Sequence, residues 1–123
     1  MDNNELEWVD LTMSPEELAE YFSTHDEWEL HLDPTWTAES LAELYRRHLA
    51  SAFASHDVIG EIGNDARAPA WVLDDIVKRF WTDRGMMIGV AVNPAAGVDV
   101  LTRLAQHEDE EVRRKASRAL RER

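Results

Sequence analysis

The residues with the widest chemical repertoire in this 123-residue chain are its five histidines, His25, His31, His48, His56 and His107. A zinc hydrolase would pair two of them as His-Glu-x-x-His on one helix face, and no such spacing occurs. His48 and His56 stand eight apart and could share a face, but His48 falls within an apolar stripe and reads as a core residue. The densest ligand cluster is "HDEWELHLD", where His25, Asp26, Glu27, Glu29, His31 and Asp33 gather nitrogen and oxygen donors. A metal-dependent enzyme built on residues 25–33 is therefore one alternative reading; a solvated helix end in an acidic segment produces the same density. Carboxylate neighbours such as Asp74 and Asp75, or Glu16 and Glu17, point in different directions on a helix, which argues against a shared acid and base. No Gly-rich phosphate loop and no Gly-x-Ser-x-Gly elbow is present. With no cysteine in the chain, thiolate metal sites, disulfides and a cysteine nucleophile are excluded. The reading is non-enzymatic, with no catalytic, cofactor-binding or metal-ligating residue assigned.

Nucleic-acid binding is the next class to weigh, because affinity for phosphate follows the Lys and Arg a surface can present. The net charge is −12, which repels a polyanion at long range. That charge is unevenly placed: residues 1–45 hold 13 Asp and Glu with no Lys or Arg, and residues 46–123 hold 12 against 13. The one basic run is "RRKASRALRER", Arg113 to Arg123, with six Lys and Arg against one Glu. On a helix it complements the C-terminal end of the dipole and solvates an outer face. A nucleic-acid-related role, as an acidic mimic or through this basic helix, stays as an alternative.

The chemistry-bearing residues must be positioned by something, and the sequence is explicit about what. A nine-residue layout recurs four times: "DLTMSPEEL" (10–18), "DPTWTAESL" (33–41), "DARAPAWVL" (65–73) and "NPAAGVDVL" (93–101). Each runs from Asp or Asn through turn-forming residues to a Leu. After Leu18, Leu41, Leu73 and Leu101, apolar or small residues follow at three and four further on: Tyr21 and Phe22, Leu44 and Tyr45, Ile76 and Val77, Leu104 and Ala105. That is one stripe of a helix. The stripe extends through His48, Leu49, Ala52 and Phe53 in the second copy and through Phe80 and Trp81 in the third, so these two helices should be the longest.

Ser14 with Pro15 and Glu17 forms a capping box with proline at the first helical position, and Thr37 holds the equivalent place in the second copy. Pro69 and Gly97 stand there in the third and fourth. A shorter helical segment precedes each later anchor, marked by Leu30, by Val58 and Ile62, and by Met86 and Val90; Val112 and Ala116 continue the series. Small residues Gly63, Ala91 and Ser117 follow these apolar positions, where they would let helices approach closely. The Asp or Asn is expected to end each short helix in the left-handed region, with Pro34 and Pro94 preventing continuation.

A lone pair of short helices cannot bury its own stripe, so successive pairs stack. The expectation is an all-α single domain, residues 1–123, forming a short α-solenoid of about four helical-hairpin repeats.

The stretch "NPAAGVDVLTRLAQHEDEEVRRKASRAL" resembles the leucine-rich repeat variant and is similar to HEAT-type repeats. Asn93, Pro94, Val100, Leu101, Leu104, Ala105, Val112, Arg113 and Arg114 carry the likeness; residues 58–94 match more weakly. The resemblance implies a right-handed α-solenoid used for protein binding. One family member carries a Cys-ligated iron–sulfur cluster, which a chain without cysteine cannot ligate.

The function expected is a non-catalytic protein-interaction module whose partner is another protein, a basic one, held by the acidic and Trp-bearing first third. Trp8, Glu27, Trp28, Glu29 and Trp36 are the candidate contact residues, because Trp is enriched at binding hot spots and carboxylates select a basic partner. No cofactor is expected. The chain stops at "RALRER" just after its last apolar positions, so self-association through that end is a further expectation. No apolar run reaches a membrane span, and the N-terminus lacks a signal-peptide pattern, which gives a cytoplasmic assignment. Eleven Arg against two Lys suggest a GC-rich bacterial source.

Overall fold

A computed structural model of the protein describes Glu16, residues 35–50 and residues 56–123, with side chains in the second helix from Val58 onward. Every regular element among these residues is helical: α1 (Ala38–Leu49), α2 (His56–Gly63), α3 (Ala70–Arg79), α4 (Arg84–Ala91), α5 (Val98–Leu104) and α6 (Glu110–Arg121). None of them is long and apolar enough to cross a membrane. The all-α class read from the stripes is therefore what the described chain adopts. It divides into two compact units, Met1–Ile62 and Gly63–Arg123.

In the first unit, Thr37 caps α1 as its sequence position suggests. Its Oγ1 accepts from the Ser40 amide at 3.3 Å while the Ser40 Oγ accepts from the Thr37 amide at 3.4 Å, so two amides that a helix start leaves unpaired are satisfied reciprocally. Leu41, Leu44, Tyr45 and His48 are fully buried along one face, and Arg46 and Arg47 in the last turn complement the helix dipole. Leu49 is only half-buried, and Ala52 and Phe53 lie outside the described residues. In α2, Val58, Ile59 and Ile62 are fully buried.

In the second unit the nine-residue layout resolves into a repeated hydrogen-bond scheme. Asp65 Oδ1 accepts from the Arg67 amide at 2.8 Å, and the Asp65 carbonyl accepts from the Ala68 amide at 3.0 Å. One copy later, Asn93 Oδ1 accepts from the Ala95 amide at 2.8 Å, and its carbonyl accepts from the Ala96 amide at 3.0 Å. These Asx turns close a tight corner that ends in a buried alanine, Ala68 or Ala96. The anchor leucine then starts each helix by donating its amide to the fifth residue of the layout: Leu41 to Thr37, Leu73 to Pro69 and Leu101 to Gly97.

Three sequence expectations need correction. The corners do not use the left-handed region: among the described residues no φ is positive, because the Asx turn closes the chain without it. The alternation of a longer with a shorter helix fails in the last pair, where α5 has 7 residues and α6 has 12; Asp109 caps α6 early by accepting from the Glu111 and Val112 amides. Gly63 is not required for close approach, since a Cβ there would meet Ile76 and Val90 methyls at an ordinary 3.5 Å.

Packing in this unit follows a regular order. Helix α3 packs on α4 and α5, α4 on α5 and α6, and α5 on α6. Leu73, Ile76, Val77, Met87, Val90, Leu101, Leu104, Val112 and Ala116 fill the space between them. Burial of a side chain of leucine or isoleucine size stabilises by about 1.5–3 kcal/mol, so this apolar set dominates the unit's stability.

Candidate protein-interaction surface

Two sets of corner contacts hold the second unit's surface in place. Asn93 is buried and its amide donates at 2.9 Å to both the Gly63 and Asp65 carbonyls, tying its corner to the one before. At the opposite ends of the helices, Trp81 and His107 pack with ring centroids 4.3 Å apart. The His107 Nδ1 accepts from the Asp109 amide at 2.9 Å, which places the ring proton on Nε2, where it donates to the Trp81 carbonyl at 2.7 Å. The Trp81 indole donates to Glu108 and Arg84 donates to Asp109. The Asp109 carboxyl is held below the usual carboxylate range, chiefly by the Val112 amide it caps, with Arg84 adding to the effect. Asp65 is lowered first by its side-chain hydrogen bond with Arg67.

On this frame the start of α3 and the start of α5 form an open groove of about 390 Å³ lined by Trp71, Asp74, Val98 and Asp99. Trp71 is 46% exposed and Val98 57%, two of the three large apolar side chains left in solvent among the described residues. Asp74 lines the α3 side, ion-paired with Lys78 at 3.0 Å and with Arg103 of α5. Asp99 is exposed at the rim. An indole held by a cross-braced helix pair, beside an isopropyl group and a carboxylate, can accept an apolar side chain flanked by a cation.

Of the residues singled out by sequence, Trp8, Glu27, Trp28 and Glu29 lie outside the described residues, as does the ligand cluster 25–33. Trp36 is half-buried and occupies the fourth place of the layout, where the next two copies bury Ala68 and Ala96. Asp74 and Asp75 diverge as their spacing requires, Asp74 to Lys78 and Arg103, Asp75 to Arg79. His48 is fully buried as the stripe implied, and burial pushes its pKa below the ordinary value. Within the basic run, Arg113 donates to the His107 and Glu108 carbonyls, Arg114 and Lys115 pair with Glu111, and Arg118 pairs with Glu122. Among the described residues no group of three His, Asp or Glu could hold a metal ion.

Sequence reasoning passed over Trp71 and Val98. For Trp71 the available signal was its position two residues before its anchor leucine, off the apolar stripe, so a helix buried on that stripe leaves it outside; Val98, three before Leu101, shares the stripe's side, and no spacing marks its exposure. No protein-family model, curated protein or solved structure gives a significant match to this chain.

Proposed function

We propose that the chain is a helical-repeat scaffold, of the kind built by the leucine-rich repeat variant and HEAT-type families, that binds another protein without catalysing a reaction. The observation that carries the binding role is the exposed Trp71–Val98 pair in one groove spanning two packed helices. Solvating an indole and an isopropyl side by side is unfavourable, and Trp is enriched among the residues that anchor protein interfaces. The repeat reading is supported by the recurrence of the same Asx turn and anchor bond in successive corners, and by the α3–α5 and α4–α6 packing expected of stacked helical pairs.

A basic partner fits Asp99 at the groove's rim and the first 45 residues, whose 13 Asp and Glu face no Lys or Arg in sequence. Within that segment Trp8, Glu27, Trp28, Glu29 and Trp36 are the candidate contact residues. The test is retention of proteins from the native host's lysate at low and high salt, followed by reconstitution with the purified candidate. A basic protein held at low salt, released at high salt and weakened at least tenfold by Trp71→Ala supports the proposal. Binding that survives Trp71→Ala together with Glu27→Lys and Glu29→Lys overturns it.

A further inference from the structure

The two carboxylates that line the groove between the starts of α3 and α5 differ in what they already hold. Asp74 is neutralised from within the unit, because Lys78 and Arg103 both pair with it. Asp99 has no hydrogen bond or ion pair among the described residues and stands in solvent in the first turn of α5. No Lys or Arg is among the described residues that line the groove. The chain's net charge of −12 draws cations toward the molecule. A cation entering here is directed to Asp99, since Lys78 and Arg103 repel it from the Asp74 side.

The rest of the lining narrows the choice of cation. Trp71 and Val98 present exposed apolar surface in the same groove, and the space where a Cβ on Gly97 would stand is open to 4 Å, which leaves room for a partner's backbone. A lysine ammonium is a compact, strongly hydrated point charge, and an open groove does little to strip its water. An arginine guanidinium is planar and more weakly hydrated. It stacks on an indole, pairs with a carboxylate through two parallel N–H bonds, and carries a methylene stem that covers apolar surface. Trp71, Asp99 and Val98 supply one counterpart for each of those three parts.

We infer that the groove selects an arginine side chain on the surface of the partner protein, with the guanidinium stacked on Trp71 and paired with Asp99 and the stem lying over Val98. This rests on the reading of the groove as a protein-binding site and names the residue it takes. The two fail differently. Binding of a captured protein that falls in Trp71→Ala and is unchanged in Asp99→Asn refutes the arginine assignment and leaves the protein-binding reading standing.

The experiment is an NMR titration of the isotope-labelled full chain with the peptide acetyl-Gly-Leu-Arg-Gly-amide and with its lysine and citrulline counterparts. Each is added up to about 20 mM in about 150 mM NaCl, where a screening length of roughly 8 Å suppresses diffuse attraction to the acidic first third. The Trp71 indole N–H resonance, assigned by its loss in Trp71→Phe, reads occupancy of the groove. The arginine peptide should shift it saturably, and the lysine peptide should need a concentration at least fivefold higher for the same effect. Citrulline, which keeps the shape of arginine and lacks its charge, should leave the resonance in place. Asp99→Asn, an isosteric change at a solvated position, should raise the half-saturating arginine concentration about tenfold. A resonance that the arginine peptide does not move overturns the inference, and so does an equal response to lysine or citrulline, or an Asp99→Asn chain that responds like the wild type.

Discussion

Asn93 illustrates how much a single side chain decides. It is one of three buried polar residues in the described chain, and its amide satisfies two backbone carbonyls from the preceding corner while its oxygen closes its own turn. Removing a buried partner leaves acceptors unsatisfied, at roughly 1–3 kcal/mol each. Asn93→Asp should therefore lower stability by about 2 kcal/mol or more at neutral pH, since a carboxylate faces two carbonyls with no proton to offer. The deficit relative to the wild type should narrow as pH falls and the new carboxyl regains a donor, which paired urea melts at several pH values will read. His48 supplies a second residue-scale prediction. Burial lowers its pKa in the folded state, so below the ordinary value near 6.5 the unfolded chain binds the proton more readily. Stability should rise with pH up to about 6.5 and then level off with respect to this group, and the rise should be smaller in His48→Leu. A pH dependence of the melting temperature identical in the two proteins would show that His48 keeps its proton affinity on folding.

At the scale of elements, the apolar stripe and the exposed edge of the same helix should behave oppositely. Leu73 is fully buried on α3, and Trp71, two residues earlier, stands half in solvent. Leu73→Ala should cost about 2–5 kcal/mol through lost burial and a residual cavity, as should Leu101→Ala on α5. Trp71→Ala should change stability by less than about 1 kcal/mol, because a surface truncation opens no cavity. Denaturant midpoints of the three variants provide the comparison, and a loss below half a kcal/mol at both leucines would refute the stripe assignment. Helix starts were legible in sequence where a side chain does the capping, as at Thr37. They were less so at Pro69 and Gly97, where no side-chain cap bond forms and the corner's own turn sets the start. The length of α6 was not legible from the alternation of helices, since Asp109 begins it by local capping independent of the repeat.

For the whole molecule, the uneven charge is the dominant physical fact. A unit with 15 acidic residues against two basic ones repels itself, while the second unit is balanced and internally ion-paired. Raising salt from about 20 to 300 mM, which shortens the screening length from roughly 20 Å to below 10 Å, should stabilise the first unit selectively. Hydrogen exchange followed by mass spectrometry should show amides of α1 gaining protection relative to those of α3 to α6. Equal gains in both would mean that local pairing, not net charge, controls the first unit's stability.

Local spacing was enough to place most helices, the faces they bury and the corners between them. Those properties come from interactions within about four residues: the i, i+3, i+4 stripe at Leu73, Ile76 and Val77, the cap at Thr37, and the Asx turns at Asp65 and Asn93. Which residues remain in solvent, and which long-range partners the polar ones find, followed from helix packing. Trp71 and Trp36 have the same side chain, yet one rims a groove while the other is half-buried in a corner. Asn93 reaches acceptors 28 and 30 residues away. Exposure and partner choice depend on what a neighbouring helix covers, and no local spacing encodes that.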